Sequence, residues 1–111
     1  MVTPARDRDI DQAVSRGSEL LKQGNLDSAQ KVFRAALALE EGNPRVLALL
    51  GLTYFKSSQF DQARPIYEEL VERAPTDASH RLNLGLVYLK LGDAARAIGA
   101  LAACRALDTS R

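Results

Sequence analysis

One histidine, one cysteine and a periodic set of lysines are the side chains of this 111-residue chain best suited to chemistry, and the first two stand alone. His80 and Cys104 are each the only residue of their type, so the clustered nitrogen and sulfur ligands that zinc or iron requires are missing. Serines and carboxylates are plentiful, but no spacing pairs a nucleophile with a base. None of the glycines has the spacing of a phosphate loop running into Lys-Ser or Lys-Thr. The expectation is a chain with no catalytic residue, no metal and no cofactor, hence not an enzyme. Cys104 reads as a small packing residue, with a reactive thiol as the alternative, and His80 as exposed or capping. Lys22, Lys56 and Lys90 differ, because they recur at a fixed interval of 34.

The same interval governs the elements that must carry those lysines. Gly17, Gly51 and Gly85 are 34 apart, as are Ala29, Ala63 and Ala97; Phe33, Tyr67 and Leu101; Leu39, Arg73 and Leu107; and Leu20, Tyr54 and Tyr88. Turn-forming pairs repeat too, at Gly24-Asn25, Ser58-Gln59 and Gly92-Asp93, and divide each unit into two short helices. A self-similar period of this length signals a stack of supersecondary units. The fold expected is all-α, a three-repeat helical solenoid of six antiparallel helices with a concave groove.

Composition narrows the function. Lys and Arg total 15 against 14 Asp and Glu with the signs interspersed, so no strong field recruits nucleic acid or acidic lipid. No stretch approaches the roughly 20 apolar residues that span a bilayer, and no secretory leader opens the chain. A single cysteine rules out an intrachain disulfide. No membrane insertion, no nucleic-acid partner and a cytoplasmic location are the corresponding expectations.

Residues 1–9 read as a polar, frayed lead-in containing Pro4. Helices are predicted from about Ile10 to Gln23, Leu26 to Leu39, Pro44 to Ser57, Phe60 to Arg73, Asp77 as N-cap to Lys90, and Ala94 to Leu107. The repeats are residues 10–43, 44–77 and 78–111. Asn43 is placed to cap the third helix with Pro44 at its first position. Pro65 falls beyond the first turn of the fourth helix and should bend it, either as a tolerated kink or as a functional bend.

With these residues in place the chain resembles the tetratricopeptide repeat family. The second unit carries the family pattern in Leu47, Leu50-Gly51, Tyr54, Ala63, Tyr67 and Pro75, departing at Leu70. The third carries Leu84-Gly85, Tyr88, Ala97 and Cys104, departing at Arg81, Leu101 and Thr109. The first keeps Gly17, Ala29, Phe33 and Ala36, and departs at Ala13, Arg16, Leu20 and Glu41. The small residues fit where two helix axes cross closely.

The resemblance implies a non-catalytic protein-protein interaction module, an adaptor or scaffold, in which the first helix of each unit lines the inner wall. Carried onto this chain, that wall holds Val14, Leu21, Leu49, Leu52, Phe55, Leu82, Asn83, Leu86 and Leu89, with Lys22, Lys56 and Lys90 as its basic rim. The residues that family members use to clamp a C-terminal carboxylate are replaced by Val14, Ser18, Leu49, Ser79 and Asn83, so that clamp is absent. An apolar wall with a lysine edge suits an amphipathic or extended peptide segment carrying some acidic residues. A chaperone-like shield for a secreted or membrane-active partner, and a homo-oligomerisation module of a larger complex, are the alternatives. For the last of these, Ile98, Leu101 and Leu107 mark an uncapped C-terminal end through which a homodimer could form.

Overall fold

A computed structural model describes residues 4–109 and shows six helices in order. They are α1 (Pro4–Lys22), α2 (Leu26–Leu39), α3 (Pro44–Lys56), α4 (Phe60–Arg73), α5 (Ala78–Lys90) and α6 (Ala94–Thr109). The expected all-α arrangement of three helix-turn-helix repeats is present. The chain forms two compact units, one ending at Ser57 and the other starting at Ser58. The first holds α1, α2 and α3, and the second holds α4, α5 and α6.

The lead-in is the clearest departure from expectation. Residues 4–9 belong to α1, and residues 1–3 lie outside the described part. Pro4 occupies the first helical position, where its missing N–H is no loss. Asp7 sits in the first turn, next to the positive end of the helix dipole. Ile10, only 2% exposed, anchors the extended helix to the core. At the other end α6 continues two residues past the expected Leu107.

In the first unit α2 packs on both α1 and α3. Its buried face, Ala29, Phe33 and Ala36, meets Val46, Leu47, Leu50 and Tyr54 of α3 in the core. Asn43 caps α3 as expected, accepting from the backbone N–H groups of Arg45 and Val46 at 3.0 and 3.1 Å. A polar seam closes the α2–α3 joint. Arg34 Nε donates to the Tyr54 hydroxyl at 2.9 Å with its guanidinium over the ring, and Gln30 Nε2 donates to Ser57 Oγ at 3.3 Å. Asp11 and Arg45, 34 residues apart, form an exposed ion pair of the kind that adds little stability.

In the second unit α5 packs on both α4 and α6. Ala63, Tyr67, Leu70, Leu84, Val87, Tyr88 and Ala97 are buried. Here the joint between repeats, α4–α5, is closed by the Tyr88 hydroxyl donating to Glu68 Oε2 at 2.6 Å. Asp77 caps α5 by accepting from Ser79 N–H, and Asp93 accepts from Arg96 N–H at the start of α6. The backbone bond from Arg96, then its guanidinium, hold the Asp93 carboxyl below the usual carboxylate range. His80, expected exposed or capping, is largely covered and lies 3.4 Å from Asp77. Helix α4 runs unbroken through Pro65. Both Pro65 and Asp61, whose carbonyl loses its donor, are exposed, so the lost bond falls on the solvent side of the helix.

Two features follow the 34-residue register closely. The turn inside each repeat carries a positive φ at Gly24 (80°), Ser58 (61°) and Gly92 (81°), the left-handed conformation that reverses the chain. The helix crossing depends on the missing side chain at Gly17, where a Cβ would stand 2.6 Å from Phe33 Cζ, and at Gly85, where it would stand 2.7 Å from Leu101 Cδ2. A Cβ on Gly99 in α6 would meet nothing within 4 Å. Gly17→Ala is therefore expected to lose about 1–3 kcal/mol through overpacking against a ring that cannot move. Gly99→Ala should gain about 1 kcal/mol of helix propensity. Urea unfolding of the two variants tests the contrast, and equal shifts would remove the close-approach account.

Candidate protein-binding site

Each first helix ends in an exposed lysine, Lys22, Lys56 or Lys90, in its last turn. A cation there also faces the negative end of the helix dipole. The charge around two of them is one-sided, since neither α3 nor α5 contains an Asp or Glu. The second helix of the same repeat differs: α4 alone holds Asp61, Glu68, Glu69 and Glu72. That segregation is written in the sequence, yet it is hidden by the near-zero net charge.

The apolar residues on these helices separate by unit. In the first unit Val14 and Leu21 on α1, and Leu49, Leu52 and Phe55 on α3, are half-buried. In the second unit Leu82, Leu86 and Leu89 are exposed at 43%, 36% and 50%, while Asn83 is half-buried. The three leucines are spaced i, i+4 and i+7, so they form one ridge along α5 that ends beside Lys90. A short solvent-facing leucine ridge with a cation at its end offers buried area to an apolar segment and a partner for its acid.

The residues marked for a terminal interface fare differently from one another. Ile98 is 68% exposed and Leu107 half-buried, whereas Leu101 lies over Gly85 and belongs to the α5–α6 packing. Cys104 is a half-buried free thiol in the place held by Ala36 and Leu70 in the earlier repeats, both 1% exposed. A shallow depression of about 450 Å³ on α6 is lined by Leu101, Ala102, Arg105 and Ala106. Among the described residues no group of three His, Cys, Asp or Glu is placed to hold a metal, and no helix is long and apolar enough to cross a membrane.

The polar pairs Arg34–Tyr54 and Glu68–Tyr88 were not anticipated from sequence. Their signal was available, because both pairs span 20 residues and the two stand 34 apart.

Known proteins share this architecture. The tetratricopeptide repeat profile matches residues 20–81 and 54–109. MamA 41-end from Desulfovibrio magneticus RS-1 superposes with a TM-score of 0.87 at 26% identity, over 92% of this chain and 58% of that one. PcrH from Pseudomonas aeruginosa gives 0.86 at 22% identity, over 100% of this chain and 82% of PcrH. PcrH in complex with the chaperone binding region of PopB gives 0.84 at 24% identity, over 92% and 82% of the two chains. The PcrH likeness is one of fold. Rhomboid protease GluP of Bacillus subtilis (strain 168) is 24% identical over 75 residues, which is 68% of this chain and 15% of GluP. The chain thus spans less than two thirds of the MamA structure and a small part of GluP. With its 34-residue register and a profile match that runs from residue 20 to residue 109, the chain belongs to the tetratricopeptide repeat family.

Proposed function

We propose that this chain is a non-catalytic protein-interaction module, an adaptor or scaffold, that binds an amphipathic or extended peptide segment on the faces of its first helices. The observation that carries the reading is the exposed ridge Leu82, Leu86 and Leu89 on α5. Three neighbouring leucines held in water at a cost of roughly 25 cal/mol per Å² are a standing gain for any segment that covers them. In the first unit Val14, Leu21, Leu49, Leu52 and Phe55 give α1 and α3 a half-buried apolar character of their own. The acid-free α3 and α5, with Lys56 and Lys90 at their ends, favour acidic residues beside the partner's apolar anchors. PcrH, of the same fold, has been crystallised with a segment of PopB, so the fold has the capacity to hold a polypeptide. A chaperone-like shield is the variant of this reading in which the partner is soluble only in the complex. A reducing, cytoplasmic setting suits the free Cys104.

Selection of random 16-residue peptides displayed on phage against the immobilised chain tests the proposal. Enriched peptides are expected to carry Leu, Ile or Phe at helical spacing together with Asp or Glu, and Leu82→Glu/Leu86→Glu should weaken their binding at least about tenfold. These leucines are exposed, so the variant keeps the native fold, as circular dichroism will verify. Peptides that bind the variant undiminished, or a library that yields no binder, would refute the site.

A further inference from the structure

The first and last described helices, α1 and α6, depart from the internal joints in matching ways. Each joint between repeats is closed by a polar pair at one register position: Arg34 with Tyr54 in α2–α3, and Glu68 with Tyr88 in α4–α5. Followed along the register, the first-helix member of that pair is Leu20, Tyr54 and Tyr88, and the second-helix member is Arg34, Glu68 and Ala102. Leu20 on α1 and Ala102 on α6 are the two members with no counterpart in the chain. Both have lost the polar group. Four residues before Ala102, Ile98 stands 68% exposed where α2 has the hydrogen-bonding Gln30.

The tyrosines of the joints and Gln30 are buried, whereas Ile98 is an apolar side chain left in water where α2 keeps a covered amide. The lost polar group also restricts what α6 accepts. A first helix bearing tyrosine, like α3 or α5, would bring its hydroxyl against Ala102 and leave it without a partner, at the cost of a buried unsatisfied group. Of the three first helices, α1 alone offers a side chain without that hydroxyl. Gln23, which lies in the register position of Ser57, keeps its polar end on Glu19 and Asn25 and leaves its methylenes for Ile98.

We infer that α6 of one molecule docks against α1 of a second copy, in the register of the internal joints, with Leu20 of the second copy against Ala102 and Ile98. The contact continues an interface that the chain already makes twice. It is head-to-tail, so it leaves one free α1 and one free α6 at the ends and extends with concentration unless it closes into a ring.

The test is the mass of the full 111-residue chain in solution, by light scattering across a concentration series up to the solubility limit. The wild type is expected to rise above 12.1 kDa as concentration increases. Ala102→Glu, Ile98→Glu and Leu20→Tyr should each return it to a monomer. An equimolar mixture of Ala102→Glu and Leu20→Tyr should assemble although neither variant does alone, because one contact is the native Leu20 against Ala102 and the other sets the introduced carboxylate against the introduced phenol. The double variant Leu20→Tyr/Ala102→Glu recreates the Tyr88–Glu68 pair across the contact and should restore assembly. Ala102 and Ile98 are exposed, and Leu20→Tyr installs the residue native to that register, so the variants keep the fold. A wild type that stays monomeric throughout, a closed dimer indifferent to Leu20→Tyr, or a double variant that fails to reassemble would each overturn the inference.

Discussion

Phe33→Ala is expected to cost about 3–5 kcal/mol and to unfold much of the first unit under conditions where the wild type is native. Phe33 is 0% exposed and its ring fills the space that Gly17 leaves open, so truncation removes the contact at the α1–α2 crossing and opens a cavity against a glycine. No side chain on the α1 side can move in to fill it. A domain of this size has a total stability of about 5–15 kcal/mol, so one truncation consumes a large share. Leu101 holds the same register position over Gly85 but is only half-buried, and Leu101→Ala should cost distinctly less. Urea unfolding followed by circular dichroism compares them. Equal losses at Phe33 and Leu101 would show that burial at this register position does not set the cost of truncation.

That comparison also shows what could be read before the structure. Columns such as Gly17, Gly51 and Gly85, or Phe33, Tyr67 and Leu101, were legible because each repeat meets one packing problem with residues alike in size and polarity. The breaks were legible because Asn43 and Asp77 cap helices and the turns demand a left-handed residue. The start of α1 was missed because charge and Pro4 suggested a loose tail, while the decisive fact was the burial of Ile10, a tertiary contact. Exposure within the candidate site was equally out of reach. Leu52 and Leu86 share a register position, yet the first is half-buried and the second exposed. Periodicity says which face of a helix a residue occupies and is silent about what lies over it. The pairing of Arg34 with Tyr54 had the same difficulty, since it depends on which helices pack together.

Alkaline pH should destabilise the second unit between pH 10 and about 12. Burial pushes the Tyr67 phenol up to about 12 from its ordinary value near 10. Tyr88 is likewise pushed up to about 12, by burial first and then by its hydrogen bond to Glu68 and the charge of that carboxylate, against smaller opposing pulls from Arg96 and Arg64. In both cases the folded chain favours the protonated phenol more than the unfolded chain does. Their contribution is therefore complete below pH 10, where both states are protonated, and is lost as pH rises through 12. The urea midpoint should fall across that window, in step with the appearance of tyrosinate absorbance. Tyr88→Phe separates the two groups. At neutral pH it loses the bond to Glu68, about 1 kcal/mol, because the exposed carboxylate is rehydrated. Above pH 10 it should decline less than the wild type, since one of the two phenols whose ionisation opposes folding has been removed. A urea midpoint that stays flat to pH 12, or an alkaline decline that Tyr88→Phe leaves unchanged, would show that the Tyr88 hydroxyl is not held in the seam between α4 and α5.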